Sequence, residues 1–148
     1  MNLTDYTRFT LRGLTGVVVV IESIKSDAVE DGLRETDLQA DVEARLVDGG
    51  MQVLTPDEWR QTPGRPWLYV SVNTLRYLGS YFFSLDVQLK QDVNLPRNPS
   101  LLTSSATWEV GSIGFARCQD IGVKIRASVD AYLTQFLSDW KAANNEAV

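Results

Sequence analysis

The hydrophobic pattern changes period twice along the chain, and each change marks a different kind of element. Val17-Val18-Val19-Val20-Ile21 is an unbroken apolar, β-branched run. Because both alternating faces are apolar, it predicts a strand over residues 16–24, covered at least partly on each side and central in a sheet. The period then lengthens. Leu38, Val42 and Leu46 share one helical stripe and predict a helix over residues 37–48. Thr36 and Gln39 have capping-box spacing, and Asp37 places negative charge at the positive end of the helix dipole. Gly49-Gly50 supplies the stop. Residues 51–54 then read as a second, short strand. A strand–helix–strand crossover of this length makes the two strands parallel, with a right-handed connection.

Thr55-Pro56-Asp57-Glu58 combines a Thr cap, Pro at the first helical position and Glu at the third. It predicts one or two helical turns carrying Trp59, ended by Pro63-Gly64-Arg65-Pro66. From Trp67 the period becomes two. Leu68, Val70 and Val72 alternate with Tyr69, Ser71 and Asn73. Phe83, Leu85, Val87 and Leu89 alternate with Ser84, Asp86, Gln88 and Lys90. Each is a strand with one buried and one wet face, and Leu78-Gly79-Ser80 is the turn between them. Pro96-Arg97-Asn98-Pro99 reads as a loop. A third antiparallel strand is expected over residues 102–110, with Ala106, Trp108 and Val110 on one face and Ser105, Thr107 and Glu109 on the other. Gly111-Ser112-Ile113-Gly114 reads as a flexible approach to the last helix.

That helix is the longest element, over residues 116–143. Ile121, Ile125, Val129, Leu133, Phe136, Leu137 and Trp140 recur along it at helical spacing, and Phe115 and Cys118 extend the stripe backwards. Gly122 inside the pattern costs about 1 kcal/mol against Ala and suggests close packing. Residues 1–14 are weakly patterned. Phe9, Leu11 and Leu14 can pack, and the segment is expected to be an arm or an edge element. The whole predicts a single α+β domain spanning residues 1–148. Its core is a mixed five-stranded sheet of order β-α-β-(α)-β-β-β-α, with two main helices on one face.

Composition narrows what such a domain does. The 148 residues are 44% hydrophobic and 22% charged with a net charge of −5, ordinary for a globular chain. A nucleic-acid module carries a basic patch, and none is visible here. Residues 22–58 hold eleven acids against three bases. This is read as a solvated face, with a docking surface for a basic partner as the sharper alternative. No stretch approaches the roughly 20 apolar residues of a membrane span. Met1-Asn2-Leu3 opens a polar segment rather than a basic-then-apolar leader. The domain is therefore periplasmic or secreted if a leader has been removed, and otherwise cytoplasmic.

Candidate chemistry is sparse. The chain has no histidine, the commonest general base and metal ligand. Its one cysteine, Cys118, excludes an internal disulfide and reads as a small buried hydrophobe. Gly111-Ser112-Ile113-Gly114 lacks the third glycine and the lysine of a phosphate loop. Asp27, Glu30, Asp31, Glu35 and Asp37 have the density of a calcium loop but not its spacing, and read as a solvated linker. No cofactor, metal site or catalytic residue is expected. Tyr69, Tyr77, Tyr81 and Phe82 are candidate exposed aromatics, as cross-strand pairs or as a partner-binding patch. The candidate partner-binding set is Tyr69, Ser71, Asn73, Tyr81, Phe82, Asp86, Gln88 and Lys90.

The segments LRGLTGVVVV (residues 11–20), DLQADVEARL (37–46), GMQVL (50–54), PWLYVSVN (66–73), VQLKQDV (87–93) and Thr107-Trp108 resemble a family of uncharacterised bacterial exported proteins. Members of that family begin with an export signal, which implies a periplasmic domain. More remotely, the element order is similar to the TolB amino-terminal domain and to curli-secretion and penicillin-binding-protein-activator lipoproteins. That resemblance implies a non-catalytic envelope module that binds another envelope protein; the lack of a basic patch argues separately against nucleic acid. The alternative is a small-molecule binder or enzyme with an unrecognised site, near Thr55–Trp59 or under the long helix. Homodimerisation through the sheet face or an edge strand is compatible with either.

Overall fold

The computed structural model describes residues 3–145. A short helix α1 (Leu3–Phe9) leads into strand β1 (Gly16–Ile21), a one-turn helix α2 (Ser26–Glu30) and helix α3 (Glu35–Asp48). Strand β2 (Gln52–Val53) and helix α4 (Pro56–Gln61) follow. The long strands β3 (Trp67–Tyr77), β4 (Ser80–Leu95) and β5 (Asn98–Arg117) form a meander. A 3-10 turn (Cys118–Asp120) enters the last helix, α5 (Ile121–Asn145). The strands make one mixed sheet of order β2-β1-β3-β4-β5. β1 runs parallel to both β2 and β3, and the other pairs are antiparallel. This is the α+β architecture that the sequence predicts.

Both main helices lie on one face. The core joins Val17 and Val19 of β1, Leu68 and Val70 of β3, and Leu85, Val87 and Leu89 of β4 to Leu38, Val42 and Leu46 of α3. From α5 it takes Ile121, Ile125, Val129, Leu133 and Phe136. Trp108 closes it, edge-on to Phe136 at 5.0 Å, with its indole N–H on Asp139 at 3.0 Å. Val18 and Val20 point the other way. Val18 is half-buried and Val20 exposed, so the valine run is central in the sheet but covered fully on one side only.

Several local expectations shift. α3 begins at Glu35, with Arg34 at its N-cap and no side-chain cap bond. Thr36 is therefore already inside the first turn. Gln39 is drawn instead to the sheet, donating to the Val19 carbonyl at 3.1 Å and to Glu43 at 2.6 Å. The far end stops as expected: Gly50 has φ +90°, its N–H reaches the Val47 carbonyl, and the Met51 N–H reaches that of Leu46. These two bonds make a Schellman closure, with Met51 buried beyond Leu46. At α4 the capping box is complete in both directions.

β5 departs most. It starts at Asn98 and continues through Gly111–Gly114 to Arg117, so those glycines lie inside a strand and do not form a flexible approach. At Gly111 a Cβ would come within 2.2 Å of Asp86 Oδ1, so that side chain would have to turn away, and would stand 3.0 Å from the Leu85 carbonyl on β4. Phe115 belongs to the sheet and is exposed, not to the helix stripe. A bulge sets Ala106 opposite Lys90 but Trp108 opposite Leu89, leaving Thr107 as the extra residue. Regular alternation therefore fails here, and Ala106 and Trp108 face opposite sides. Ser105 and Thr107 leave the outer face, and Thr107 accepts from Gln91 of the inward-facing set at 2.8 Å.

The amino-terminal segment, expected to be an arm or edge, forms α1 and packs on α5. Leu11 and Leu14 enter the core, and the Trp140 indole N–H donates to the Leu14 carbonyl at 2.7 Å. The acidic linker contains α2. Its Asp31 accepts the Tyr81 hydroxyl at 2.6 Å and lies 3.8 Å from Arg76. Cys118 is half-buried against the core. No helix among the described residues is long and apolar enough to cross a membrane.

Candidate functional site

Among the described residues, the sheet face turned away from α3 and α5 is covered only by the short α4 at its β1 end. Alternation along β3 and β4 sets the residues on it, and the register pairs them: Trp67 with Lys90, Tyr69 with Gln88, Ser71 with Asp86, Asn73 with Ser84, Leu75 with Phe82. β5 adds Glu109 beside Gln88, Gly111 beside Asp86, Ile113 beside Ser84 and Phe115 beside Phe82. Of the sequence-derived set, Tyr69, Ser71, Asn73, Phe82, Asp86, Gln88 and Lys90 lie together on this face.

Tyr81 does not. As an odd-numbered residue of β4 it points inward, fully buried under α2, with its hydroxyl on Asp31. The alternation that puts Phe83 on the buried face, carried two residues back, puts Tyr81 there and Phe82 outward, and the register with β3 and β5 agrees. Burial, the hydrogen bond to Asp31 and the negative charge of Asp27 all push the Tyr81 phenol well above its ordinary range.

The face has three zones. At its centre the groups are polar and mutually bonded. Ser71 donates to Glu22, and Gln88 donates to Glu109 at 2.9 Å. Glu22, Asp86 and Glu109 make this zone acidic. Burial, with the nearby Glu22 carboxylate, raises the Tyr69 phenol. At the hairpin end the zone is apolar. Leu75, Tyr77, Phe82, Ile113 and Phe115 are all exposed, Ile113 at 86% and Phe115 at 71%, and the Phe82 and Phe115 rings lie 6.5 Å apart. Leu75, Ile113 and Phe115 were not expected on this face. The signal was present as alternation through residues 109–117, but two glycines disguise it as a loop.

The third zone is a cleft of about 480 Å³ where α4 meets the sheet. Val18 and Val20 form its floor, and Pro56, Trp59, Arg65, Trp67, Asp92 and Ser104 its walls. The capping box fixes the start of α4 and so brings Trp59 over β1. Arg65 stacks on the Trp59 ring at 5.5 Å and binds Asp92 through Nε at 2.8 Å. That bond comes first among the causes that raise its pKa, followed by the charge of Asp92. Arg65 adopts φ +39°, a conformation that non-glycine residues hold at a cost. Next to the cleft, Lys90 Nζ sits 5.0 Å from the Trp67 ring and 4.8 Å from Tyr69. The Trp59 Nε1 is shut off from solvent and has no acceptor. A buried donor left unpaired costs about 1–3 kcal/mol.

The described residues contain no group of three or more His, Cys, Asp or Glu side chains arranged to hold a metal ion. What the face can do chemically is bind: it offers aromatic rings, two cations on aromatic partners, an acidic centre and an apolar end.

No family model and no curated protein matches the chain. Among solved structures, the chain is similar to a PelC dodecamer from Paraburkholderia phytofirmans. The identity is 15% and the TM-score 0.45, over 87% of this chain and 90% of that one. It is also similar to a protein from Caulobacter crescentus CB15 described as a lipoprotein. There the identity is 13% and the TM-score 0.41, over the full length of both chains. At this level of likeness neither neighbour brings a function to this chain.

Proposed function

We propose that this chain is a non-catalytic interaction domain of the bacterial envelope that docks another protein on its uncovered sheet face. The observation that carries the reading is the apolar zone of Leu75, Tyr77, Phe82, Ile113 and Phe115 on an otherwise polar face. The wet face of an antiparallel sheet is ordinarily polar. A contiguous apolar patch rimmed by polar groups is the signature of a protein contact. The acidic centre favours a partner that presents basic groups beside an apolar anchor. The envelope assignment rests on the sequence resemblance. The choice of binding over turnover rests on the lack of histidine and of a recognisable nucleophile–base motif in the sequence.

A photo-crosslinking residue tests the docking. Placed at Gln88 on the sheet face, it should give a discrete adduct in envelope extract, and Phe82→Asp should abolish that adduct. The same residue at Val47, exposed on α3, should give none. Equal adducts from both positions, or none from Gln88, would overturn the reading.

A second reading is favoured by the unpaired Trp59 indole: a small molecule with a flat apolar body and an acceptor group enters the cleft. Its acceptor would receive a hydrogen bond from the Nε1–H after a small rotation of the ring. A compound that raises Tm in the native chain but not in Trp59→Phe would support it. Phenylalanine keeps the ring and removes the donor, so an equal shift in both proteins would exclude the indole.

A further inference from the structure

We infer that the β5 edge pairs with the β5 edge of a second copy of this chain, antiparallel and centred on Ile113. The two ends of the sheet differ in how they are finished. At one end β2 is only two residues long, and where β1 runs past it the Val19 carbonyl is taken by Gln39. At the other end β5 runs for 20 residues with no strand beyond it among the described residues. Its first half is poorly suited to pairing: Pro99 lacks a donor, the strand is bulged at Thr107, and the Thr10 hydroxyl takes the Thr107 carbonyl at 3.2 Å. Residues 109–117 carry none of these protections, nor the edge lysine that commonly blocks such pairing.

The direction of the free backbone groups follows from the ladder. The Cys118 N–H donates to the Gly79 carbonyl at 3.0 Å. Backbone groups alternate sides along an antiparallel strand, so the even-numbered residues before it also turn theirs to β4. Glu109, Gly111, Ile113, Phe115 and Arg117 therefore turn their N–H and C=O groups outward. A two-fold axis at Ile113 sets Ile113 against its own copy, Gly111 against Phe115, and Glu109 against Arg117. Each match is favourable. Opposite charges face each other at both ends, and each phenyl ring covers the bare backbone of a glycine. The present partners of these charges, Gln88 for Glu109 and Asp120 for Arg117, are exposed contacts that exchange at little cost. The charge complementarity selects a second copy of this chain over an unrelated strand. Pairing also joins the two exposed Ile113–Phe115 zones into one strip on a ten-stranded sheet.

Sedimentation equilibrium of the purified full chain, from about 1 μM to about 1 mM, tests this without any partner protein. Its outcome is therefore separable from that of the docking experiment. The native chain should form a concentration-dependent dimer. Ile113→Lys, which places a charge on the axis, should be monomeric. Glu109→Arg and Arg117→Glu should each weaken the dimer about tenfold by setting like charges opposite each other, and the double exchange should restore it. Unchanged circular dichroism would show that each variant folds. A monomer throughout the range, or a dimer indifferent to these substitutions, would overturn the inference, as would failure of the double exchange to rescue.

Discussion

Tyr81 shows how far one side chain's role depends on the register around it. Its hydroxyl links β4 to the α2 segment through Asp31, and Arg76 approaches the same carboxylate. Tyr81→Phe should cost about 1–3 kcal/mol, since it strips a charged acceptor of its donor in a half-buried site. The phenol also ties stability to pH. Its pKa in the folded chain lies above the unfolded value of about 10. The stabilisation is therefore whole below about pH 10 and is lost as the pH climbs through the folded value. In an ultraviolet titration of the five tyrosines, the last to ionise should vanish in Tyr81→Phe. A second residue-scale effect lies at the β3–β4 turn, where Leu78 holds φ +49° and Gly79 φ +77°. A two-residue hairpin turn with both residues left-handed favours Asn at the first position. Leu78 is 84% exposed. Leu78→Asn should therefore stabilise by about 0.5–1 kcal/mol and raise Tm by about 2–4 °C on thermal unfolding.

At the scale of elements, α5 is positioned by contacts that a helical stripe does not disclose. The stripe from Ile121 to Leu137 gives its buried face. Gly122 sets how closely its start approaches the rest, because a Cβ there would stand 2.7 Å from the Gly32 carbonyl. Gly32 has φ +105° and ends α2, so that backbone has little room to yield. Helix propensity alone predicts that Gly122→Ala stabilises by about 1 kcal/mol. The steric clash predicts a cost of about 1–3 kcal/mol, and the clash should win. A fall in the urea midpoint checks the sign, and a rise would show that the α2 turn relaxes. The same contrast between pattern and contact explains the other shifted elements. Thr36 has the right spacing for a cap but lies one residue inside α3. Residues 111–114 have a loop's composition but serve as the outer strand of a hairpin, because β4 supplies sixteen residues of ladder for β5 to follow.

At the scale of the whole molecule, the two faces of one sheet have opposite duties, and two residues of β4 three positions apart show it. Leu85→Ala removes a fully buried side chain and should cost about 2–5 kcal/mol. Phe82→Ser removes a larger group from the open face and should change stability by less than about 1 kcal/mol while weakening docking. Chemical denaturation of the two variants measures the difference, and a large loss in Phe82→Ser would mean that the outer patch supports the fold. The mid-strand alternation that separates these faces was legible in Leu85, Asp86, Val87 and Gln88. The apolar end of the face was not, because Phe115 fits both a helical stripe and a strand, and only pairing with Phe82 decides between them.

The sequence by itself determined the elements whose causes are local: the valine strand, the capping box at Thr55, the glycine stop after α3, the alternating strands and the stripe of α5. It also determined the mixed topology, since crossover length and hairpin turns fix strand direction. The tertiary structure alone decided where β5 begins and ends and that, among the described residues, only α4 covers part of the outer side of the sheet. It also brought Trp59, Arg65, Trp67 and Asp92 around one cleft. Each of these depends on register or on contacts between residues far apart in the chain. A periodic pattern fixes which residues share a face, but not what lies across from it.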